Sequence, residues 1–218
     1  MEKSGDFNTE KAWWDIYGLT VKNKNHPDFG NRVTYGRTYA QMVKFPHDME
    51  ITYFHDEVKQ LESHFSMGRN QRILVVGCGF GFLVEAMIDL KFHHCWGMDN
   101  SQWIAKHRAT ESRSDVPILE IGILDPGLAD HLKAETGGGS FDWVIDEHIL
   151  EGYMDGEHDS LISAMNQLVA DPSRVVHMVA PINKEKIQDP SMNWKTLEEW
   201  KAFCPQNLWI APGRNQVL

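Results

Sequence analysis

The chain has 218 residues, a length that suits one medium-sized domain, and its 42% hydrophobic and 11% aromatic residues exclude a disordered protein. Its net charge of −10 disfavours a non-specific nucleic-acid binder, which needs a basic face to displace counterions. The three cysteines form neither a disulfide framework nor a zinc-binding pattern, and no stretch is long and apolar enough to span a membrane. We therefore expect a soluble, reduced, cytoplasmic protein.

The first 70 residues predict a helical N-terminal extension. Five apolar side chains recur at spacings of three and four and share one helix face: Ile51, Phe54, Val58, Leu61 and Phe65. We expect this helix to end near Gly68, because glycine readily adopts the left-handed cap conformation. The aromatic segments at 13–17 and 35–39 are suited to wall a pocket or form a lid, and equally to dock on the rest of the chain. The chain accordingly divides into an extension over residues 1–70 and a domain over residues 71–218.

From residue 71 onward, short apolar runs alternate with amphipathic segments. The apolar runs predict five strands, at residues 73–76, 94–98, 117–121, 141–145 and 174–179. Helices are expected between them, at 82–90, from the N-cap residue Ser101, at 128–135, and at 161–169 with Asp159 or Ser160 as the cap. This alternation predicts an α/β fold with a doubly wound, mostly parallel sheet that is covered on both faces.

The end of the chain predicts one further helix, over residues 194–203, and at most one further strand, within 207–211. The sheet then has six strands with an abbreviated C-terminal edge, or its last edge is completed by another chain. An open edge is a liability that a homodimer would remove.

A glycine loop follows the first predicted strand, in the order Gly77-Cys78-Gly79-Phe80-Gly81-Phe82. Glycine lets the backbone turn sharply and lets a ligand approach the main chain closely. The dinucleotide-binding pattern has its third glycine where this chain has Phe82, which points away from NAD. Asp99 ends the second predicted strand, where a carboxylate can accept hydrogen bonds from both hydroxyls of a ribose.

These residues resemble the motifs of the class I, Rossmann-like methyltransferases that use S-adenosylmethionine (SAM), over about residues 70–182. VVGCGFGFL (75–83) is similar to their first motif and WGMDNS (96–101) to their ribose-binding motif. FDWVIDEHILEGY (141–153) is similar to the stretch that carries the fourth strand and the start of the acceptor site. The resemblance implies a Rossmann-like methyltransferase fold with SAM as the cofactor.

Position by position, the resemblance implies a set of cofactor contacts. The loop residues Gly77, Cys78, Gly79 and Gly81 would pass along the methionine and ribose part of SAM. Asp99 would hold the ribose hydroxyls, Asn100 would lie beside the adenine, and Asp146 would sit near the amino acid end.

One position departs from the family pattern. Ile123 stands where the family often has an acid that receives the adenine amino group. Either the backbone of Ile123 and Leu124 contacts the adenine, or Asp125 reaches back, or cofactor binding is weakened. We favour the backbone, with apolar packing from Ile123.

Most of the net charge lies in residues 141–160, which hold no Lys or Arg and seven acids: Asp142, Asp146, Glu147, Glu151, Asp155, Glu157 and Asp159. Acids near the start of a helix complement its dipole, which explains part of the segment. A metal site is a second interpretation. The metal-assisted O-methyltransferases that resemble this fold use an Asp-Asn pair after the fifth strand, whereas this chain has Asn183 without a neighbouring Asp. We therefore predict no metal.

The third interpretation is an acceptor site for a cationic or amine substrate. Methyl transfer needs alignment and an acceptor lone pair that is free of its proton. His148 is the candidate base and Glu147 the candidate carboxylate that orients an ammonium or guanidinium group. His177 lies in a predicted buried strand and is better explained as a hydrogen-bonded core residue.

The sequence therefore predicts a SAM-dependent methyltransferase that acts on a small molecule or a protein side chain, with nitrogen preferred over oxygen. A non-catalytic, methyltransferase-like binding module that serves as a partner subunit remains an alternative, motivated by Ile123 and the short C-terminus. A nucleotide-dependent oxidoreductase is a further alternative, disfavoured by Phe82.

Overall fold

A computed structural model describes residues 47–100, 113–153, 155–179, 195–204 and 207–210. Six strands lie within these ranges: β1 (Arg72–Val76), β2 (His94–Met98), β3 (Ile118–Leu119), β4 (Trp143–Glu147), β5 (Val175–Met178) and β6 (Leu208–Trp209). Five α-helices lie within the same ranges: α1 (His47–Phe65), α2 (Phe82–Asp89), α3 (Leu128–Thr136), α4 (Asp155–Gln167) and α5 (Leu197–Phe203). Short 3-10 turns occupy Leu150–Gly152 and Pro172–Arg174.

The six strands form one sheet in the order β3-β2-β1-β4-β5-β6, and every pairing between them is parallel. The chain winds outward from β1 to β3 and then crosses to β4, so the strand order reverses between β1 and β4. The predicted doubly wound α/β fold is confirmed. Because the strands are parallel, their carboxyl ends share one edge of the sheet, here called the carboxyl edge, and their starts share the amino edge.

Hydrophobic cores fill both faces of this sheet. On one face, buried side chains of α1 and α2 pack with those of β1 that point toward them, and Phe54, Val58 and Leu61 are each at most 2% exposed. On the other face, α3, α4 and α5 pack over Leu74 and Val76. The apolar face predicted for α1 is therefore confirmed, and this helix contributes to the same core as β1. The division of the chain at residue 70 stays a prediction.

Several helix boundaries differ from the sequence-based expectation, and two of them have a clear physical reason. The left-handed residue after α1 is Ser66, at φ 54°, and the Met67 N–H donates to the Glu62 carbonyl 3.1 Å away, so the helix is already capped before Gly68. Helix α4 begins at Asp155, so Asp159 and Ser160 lie inside it and do not cap it. Acidic residues in a first helical turn are stabilised by the helix dipole, which accounts for the earlier start.

The C-terminal part of the sheet agrees with the expected six strands. Strand β6 pairs with β5 through His177↔Leu208 and Met178↔Trp209. Thr196 and Glu199 form a reciprocal capping box that starts α5. The helix expected from Ser101 and the aromatic segments at 13–17 and 35–39 lie outside the described residues. No helix within the described ranges has the length and apolarity to cross a bilayer.

Candidate functional site

The predicted site residues gather at the carboxyl edge, around the place where the strand order reverses. Val76, the last residue of β1, stands in register with Met98 of β2 on one side and with Asp146 of β4 on the other. The glycine loop therefore starts between the ends of β2 and β4. Ligands of open parallel sheets bind in the crevice at such a reversal.

The glycine loop takes a shape that side chains would oppose. Gly77, Gly79 and Gly81 have φ values of 72°, 54° and 84°, all in the left-handed region. A Cβ atom at position 81 would also lie 2.5 Å from Ile118 Cδ1. The N–H groups of Gly77 and Cys78 both donate to the Met98 carbonyl, at 2.9 and 3.1 Å, which anchors the loop to β2.

The predicted ribose-binding acid lies directly against this loop. Asp99 Oδ2 accepts a hydrogen bond from the Gly79 N–H at 3.0 Å, and Asp99 is 5% exposed. The Asp99 N–H donates to the Leu119 carbonyl at 3.0 Å, which fixes the residue between β2 and β3. The two predicted elements, separated by a helix and a strand in the sequence, are thus in contact.

Gly97, which the sequence analysis did not select, makes this contact possible. A Cβ atom at position 97 would lie 2.6 Å from Cys78 Sγ and 3.2 Å from Val84 Cγ2. Cys78 itself is buried, and its thiol packs on β2 at Gly97. The available signal was a glycine inside a strand, which marks a place where another part of the chain approaches closely.

The segment after β3 contains Ile123, which stands where the family often has an acid. The Ile123 side chain is buried in the core, whereas Leu124 is 45% exposed. Asp125 does reach back, but to the backbone, because its Oδ2 accepts the Gly122 N–H at 2.8 Å. A Cβ atom at Gly122 would lie 3.1 Å from Asn100 Nδ2, so Asn100 packs against this turn.

Asn100 carries an unsatisfied group at this position. Its Oδ1 is buried and has no hydrogen-bond partner among the residues that the structure describes. A buried carbonyl oxygen without a donor costs stability, and a ligand that brings an N–H group removes that cost.

Strand β4 extends two residues beyond its predicted end, so Asp146 and Glu147 belong to the strand. Glu147 shares the sheet face of Ile145, which α1 and α2 cover, while Asp146 points to the opposite face. Asp146 is fully buried and has protein partners for both oxygens: Oδ1 accepts the Ile149 N–H at 2.9 Å, and Oδ2 lies 3.0 Å from His177 Nδ1. The expectation that His177 is a hydrogen-bonded core residue agrees with this pair.

His148 follows β4 and has a left-handed backbone, with φ 61°. Such a conformation is uncommon outside glycine and is found at functional sites more than elsewhere. The His148 N–H donates to the Met178 carbonyl at 3.1 Å, and its ring Nδ1 lies 3.0 Å from Glu151 Oε1. Glu151 is fully buried on the 3-10 turn Leu150–Gly152.

The acidic segment therefore has two kinds of members. Asp142 and Asp159 are exposed, whereas Asp146, Glu147 and Glu151 are buried at the carboxyl edge. Burial and the nearby negative charges of Asp146 and Glu151 raise the pKa of the Cys204 thiol to about 12, so this thiol stays protonated at neutral pH. Among the described residues, no group of three or more His, Cys, Asp or Glu is placed to hold a metal ion.

Known proteins resemble this chain in fold but not in sequence. No family model and no curated protein sequence matches this chain significantly. Magnesium protoporphyrin IX methyltransferase from Synechocystis PCC 6803, solved with bound SAM, superposes with a TM-score of 0.53 at 13% identity, over 92% of this chain and 86% of that one. A SAM-dependent methyltransferase from Anabaena variabilis superposes with a TM-score of 0.53 at 12% identity, over 93% and 83%.

A third solved structure is the complex between the Haloferax volcanii Trm112 methyltransferase activator and a methyltransferase, with a TM-score of 0.51 at 17% identity over 90% of this chain and 74% of that one. The all-parallel sheet with helices packed on both faces agrees with these similarities. This chain therefore has the fold of the class I, Rossmann-like SAM-dependent methyltransferases.

Proposed function

We propose that this protein is a SAM-dependent methyltransferase that acts on a small molecule or a protein side chain, with an amine or cationic group as the acceptor. The observation that carries the proposal is the hydrogen bond from the Gly79 N–H to Asp99 at the reversal of strand order. It joins a loop open to close approach with a carboxylate suited to ribose hydroxyls. The solved neighbour with bound SAM supports the same ligand.

The residues around this contact fit the cofactor. The backbone of Gly77, Cys78, Gly79 and Gly81 would line the methionine and ribose part, and Asp99 would hold the ribose. The buried, unsatisfied Oδ1 of Asn100 is an acceptor for the adenine amino group. This oxygen would accept the hydrogen bond that an acid at position 123 accepts in the family. The backbone of Ile123 and Leu124 would lie beside the adenine.

Asp146 would lie near the amino acid end of the cofactor without a direct hydrogen bond to it, because its oxygens already accept from Ile149 and pair with His177. Its register with Val76 places it next to the start of the glycine loop. When bound, SAM supplies a methyl group on a sulfonium, which passes to the acceptor's lone pair as the carbon–sulfur bond breaks.

Two residues at the end of β4 would act on the acceptor. His148 Nε2 would take the proton that the acceptor nitrogen must lose, because a protonated amine has no lone pair for attack. The Glu147 carboxylate would orient an ammonium or guanidinium group, and the buried acids of β4 and of the following turn make this region favourable for a cation.

Binding calorimetry tests the cofactor assignment. We expect SAM and S-adenosylhomocysteine to bind and NAD not to bind. Asp99→Asn keeps an oxygen for the Gly79 N–H but loses the second carboxylate acceptor, so we expect at least about tenfold weaker binding of both sulfur nucleotides. Asp130→Asn changes an exposed acid on α3 and serves as the matched control, with unchanged affinity.

The outcomes separate the alternatives. Binding of NAD without either sulfur nucleotide would support an oxidoreductase. Absence of all three would support a non-catalytic partner subunit. Binding of the sulfur nucleotides with equal affinity in Asp99→Asn and Asp130→Asn would leave SAM as a ligand but remove Asp99 from its site.

A further inference from the structure

We propose that Glu151 is a positioning residue that keeps a proton on His148 Nδ1, so that His148 Nε2 carries the lone pair at the carboxyl edge. The inference rests on the proposed function, in which His148 accepts the proton of the methyl acceptor. Glu151 stands in the acidic segment that the sequence analysis selects, and the proposed function so far uses it only as one of the buried negative charges.

The distance between the two side chains defines the pair. His148 Nδ1 and Glu151 Oε1 are 3.0 Å apart, a normal hydrogen-bond length, and the Glu151 side chain is fully buried. An ionised carboxylate can only accept, so the nitrogen that faces it must carry the proton. A neutral imidazole has one N–H and one lone-pair nitrogen, and the lone pair is then on Nε2.

The backbone around the pair is held from three sides. The His148 N–H donates to the Met178 carbonyl at 3.1 Å, and the Ile149 N–H donates to Asp146 Oδ1 at 2.9 Å. His158 Nε2 lies 2.8 Å from the Leu150 carbonyl, next to Glu151. These bonds fix the ring and the carboxylate before any ligand arrives, and the left-handed φ of His148 is the cost of that placement.

The neighbouring strand offers an internal comparison. His177 Nδ1 also lies 3.0 Å from a buried carboxylate, that of Asp146. This second pair joins residues in the interiors of β4 and β5, whereas the His148–Glu151 pair lies on the turn that follows β4. Among the described residues, titratable groups on the elements near the turn include Asp146, Glu147, His158, His177, Lys195 and Cys204.

Nitrogen-15 NMR of the histidine side chains measures the inference directly, because two-bond proton–nitrogen correlations distinguish the two neutral tautomers. The signal of His148 is assigned from its loss in His148→Asn, which tolerates the left-handed backbone. At a pH where the ring is neutral, we expect the Nδ1–H form to dominate in the wild-type protein. In Glu151→Leu, which offers no acceptor, we expect that form to fall below half of the population.

Two further variants keep the experiment decisive. Glu151→Gln preserves the shape if Glu151→Leu does not fold, and its amide can donate to Nδ1, so it also increases the Nε2–H form. His177→Asn removes the imidazole of the other histidine–carboxylate pair and should leave the His148 tautomer unchanged. A dominant Nε2–H form in the wild type, or equal tautomer populations in all variants, would overturn the inference.

Calorimetry with SAM on the same samples separates this result from the proposed function. SAM binding together with the Nε2–H tautomer would overturn the role of Glu151 and leave the methyltransferase proposal standing. The Nδ1–H tautomer without SAM binding would refute the proposed function, and with it the role of the pair in methyl transfer.

Discussion

The amino and carboxyl edges of the sheet are built from opposite materials. At the amino edge, the Arg72 guanidinium lies 5.2 Å from the ring centroids of both Trp96 and Phe141 and donates to the carbonyl and hydroxyl of Thr136 at 3.1 Å. Arg174 lies over Trp143 in the same way, at 4.7 Å. At the carboxyl edge, by contrast, left-handed glycines meet buried carboxylates and histidines.

The difference shows which end of the strands stabilises the fold and which end destabilises it. Planar cations stacked on aromatic rings stabilise the amino edge. Left-handed backbone at a residue other than glycine, such as His148, destabilises a protein, and so do buried acids; natural proteins retain such features mainly at functional sites. Substitutions at the amino edge should therefore change stability alone, whereas those at the carboxyl edge should also change ligand binding.

The largest expected effect is that of Gly81→Ala at the carboxyl edge. An alanine at position 81 must adopt a backbone φ of 84°, which is strained for a residue with a side chain. Its Cβ atom would lie 2.5 Å from Ile118 Cδ1 and 3.1 Å from Val116 Cγ1. We expect the free energy of unfolding to fall by about 2 kcal/mol and SAM binding to be lost or weakened more than about tenfold. Urea denaturation and calorimetry measure the two effects.

Gly127→Ala is the matched control for this prediction. Gly127 precedes α3 with φ −90°, and no atom of the described part of the chain lies within 4 Å of a Cβ placed there. We expect its stability to change by no more than about 0.5 kcal/mol and its affinity for SAM to stay constant. Equal losses in the two variants would mean that the shape of the glycine loop has no special importance.

The second effect, at the amino edge, is that of Arg72→Met. Methionine keeps the apolar stem but loses the stacked charge and both hydrogen bonds to Thr136, so we expect a loss of about 1–3 kcal/mol in the free energy of unfolding. SAM affinity should remain within about twofold. Arg69→Met, at a more exposed cation–aromatic contact with Phe92, should lose less stability than Arg72→Met does. A large loss of SAM affinity in Arg72→Met would contradict the expectation that substitutions at the amino edge change stability alone.

Parts of the carboxyl edge differed in how well the sequence predicted them. Strand β2 was predicted with its observed bounds, and β1 and α2 to within one residue at each end, because apolar runs and a glycine loop mark them unambiguously. The contact between Gly79 and Asp99 followed from the expected topology, since parallel strands bring their carboxyl ends together.

The end of β4 was predicted less well, for a physical reason. Asp146 and Glu147 are charged, which is typical of residues that follow a strand, yet they are buried within it because the fold supplies partners such as His177 from β5. The His148–Glu151 pair depends on a left-handed residue followed by a 3-10 turn, and neither a histidine at positive φ nor such a turn has a sequence signature of its own.

The smallest effect is expected on the flank between α1, α2 and β3, where Arg113 joins exposed acids. Its guanidinium donates to Asp89 Oδ1 at 2.6 Å and to both oxygens of Asp115. Hydrogen bonds from Arg113 lower the pKa of Asp115. At Asp89, partial burial raises the pKa, but hydrogen bonds from Arg113 and His55 outweigh this effect, so the pKa of Asp89 is lowered as well.

A carboxylate whose pKa is lower in the folded protein stabilises it above the unfolded pKa of about 4 and loses that contribution as the pH falls toward the folded pKa. Arg113→Gln should therefore lower the Tm by no more than about 2 °C at pH 7, because exposed ion pairs contribute little, and the difference from wild type should shrink toward pH 3. Lys59→Gln, which removes an exposed pair with Asp56 within α1, is the control and should change the Tm less. A difference for Arg113→Gln that persists undiminished at pH 3 would show that Arg113 stabilises the flank by packing, as Arg72 does at the amino edge, and not through its carboxylates.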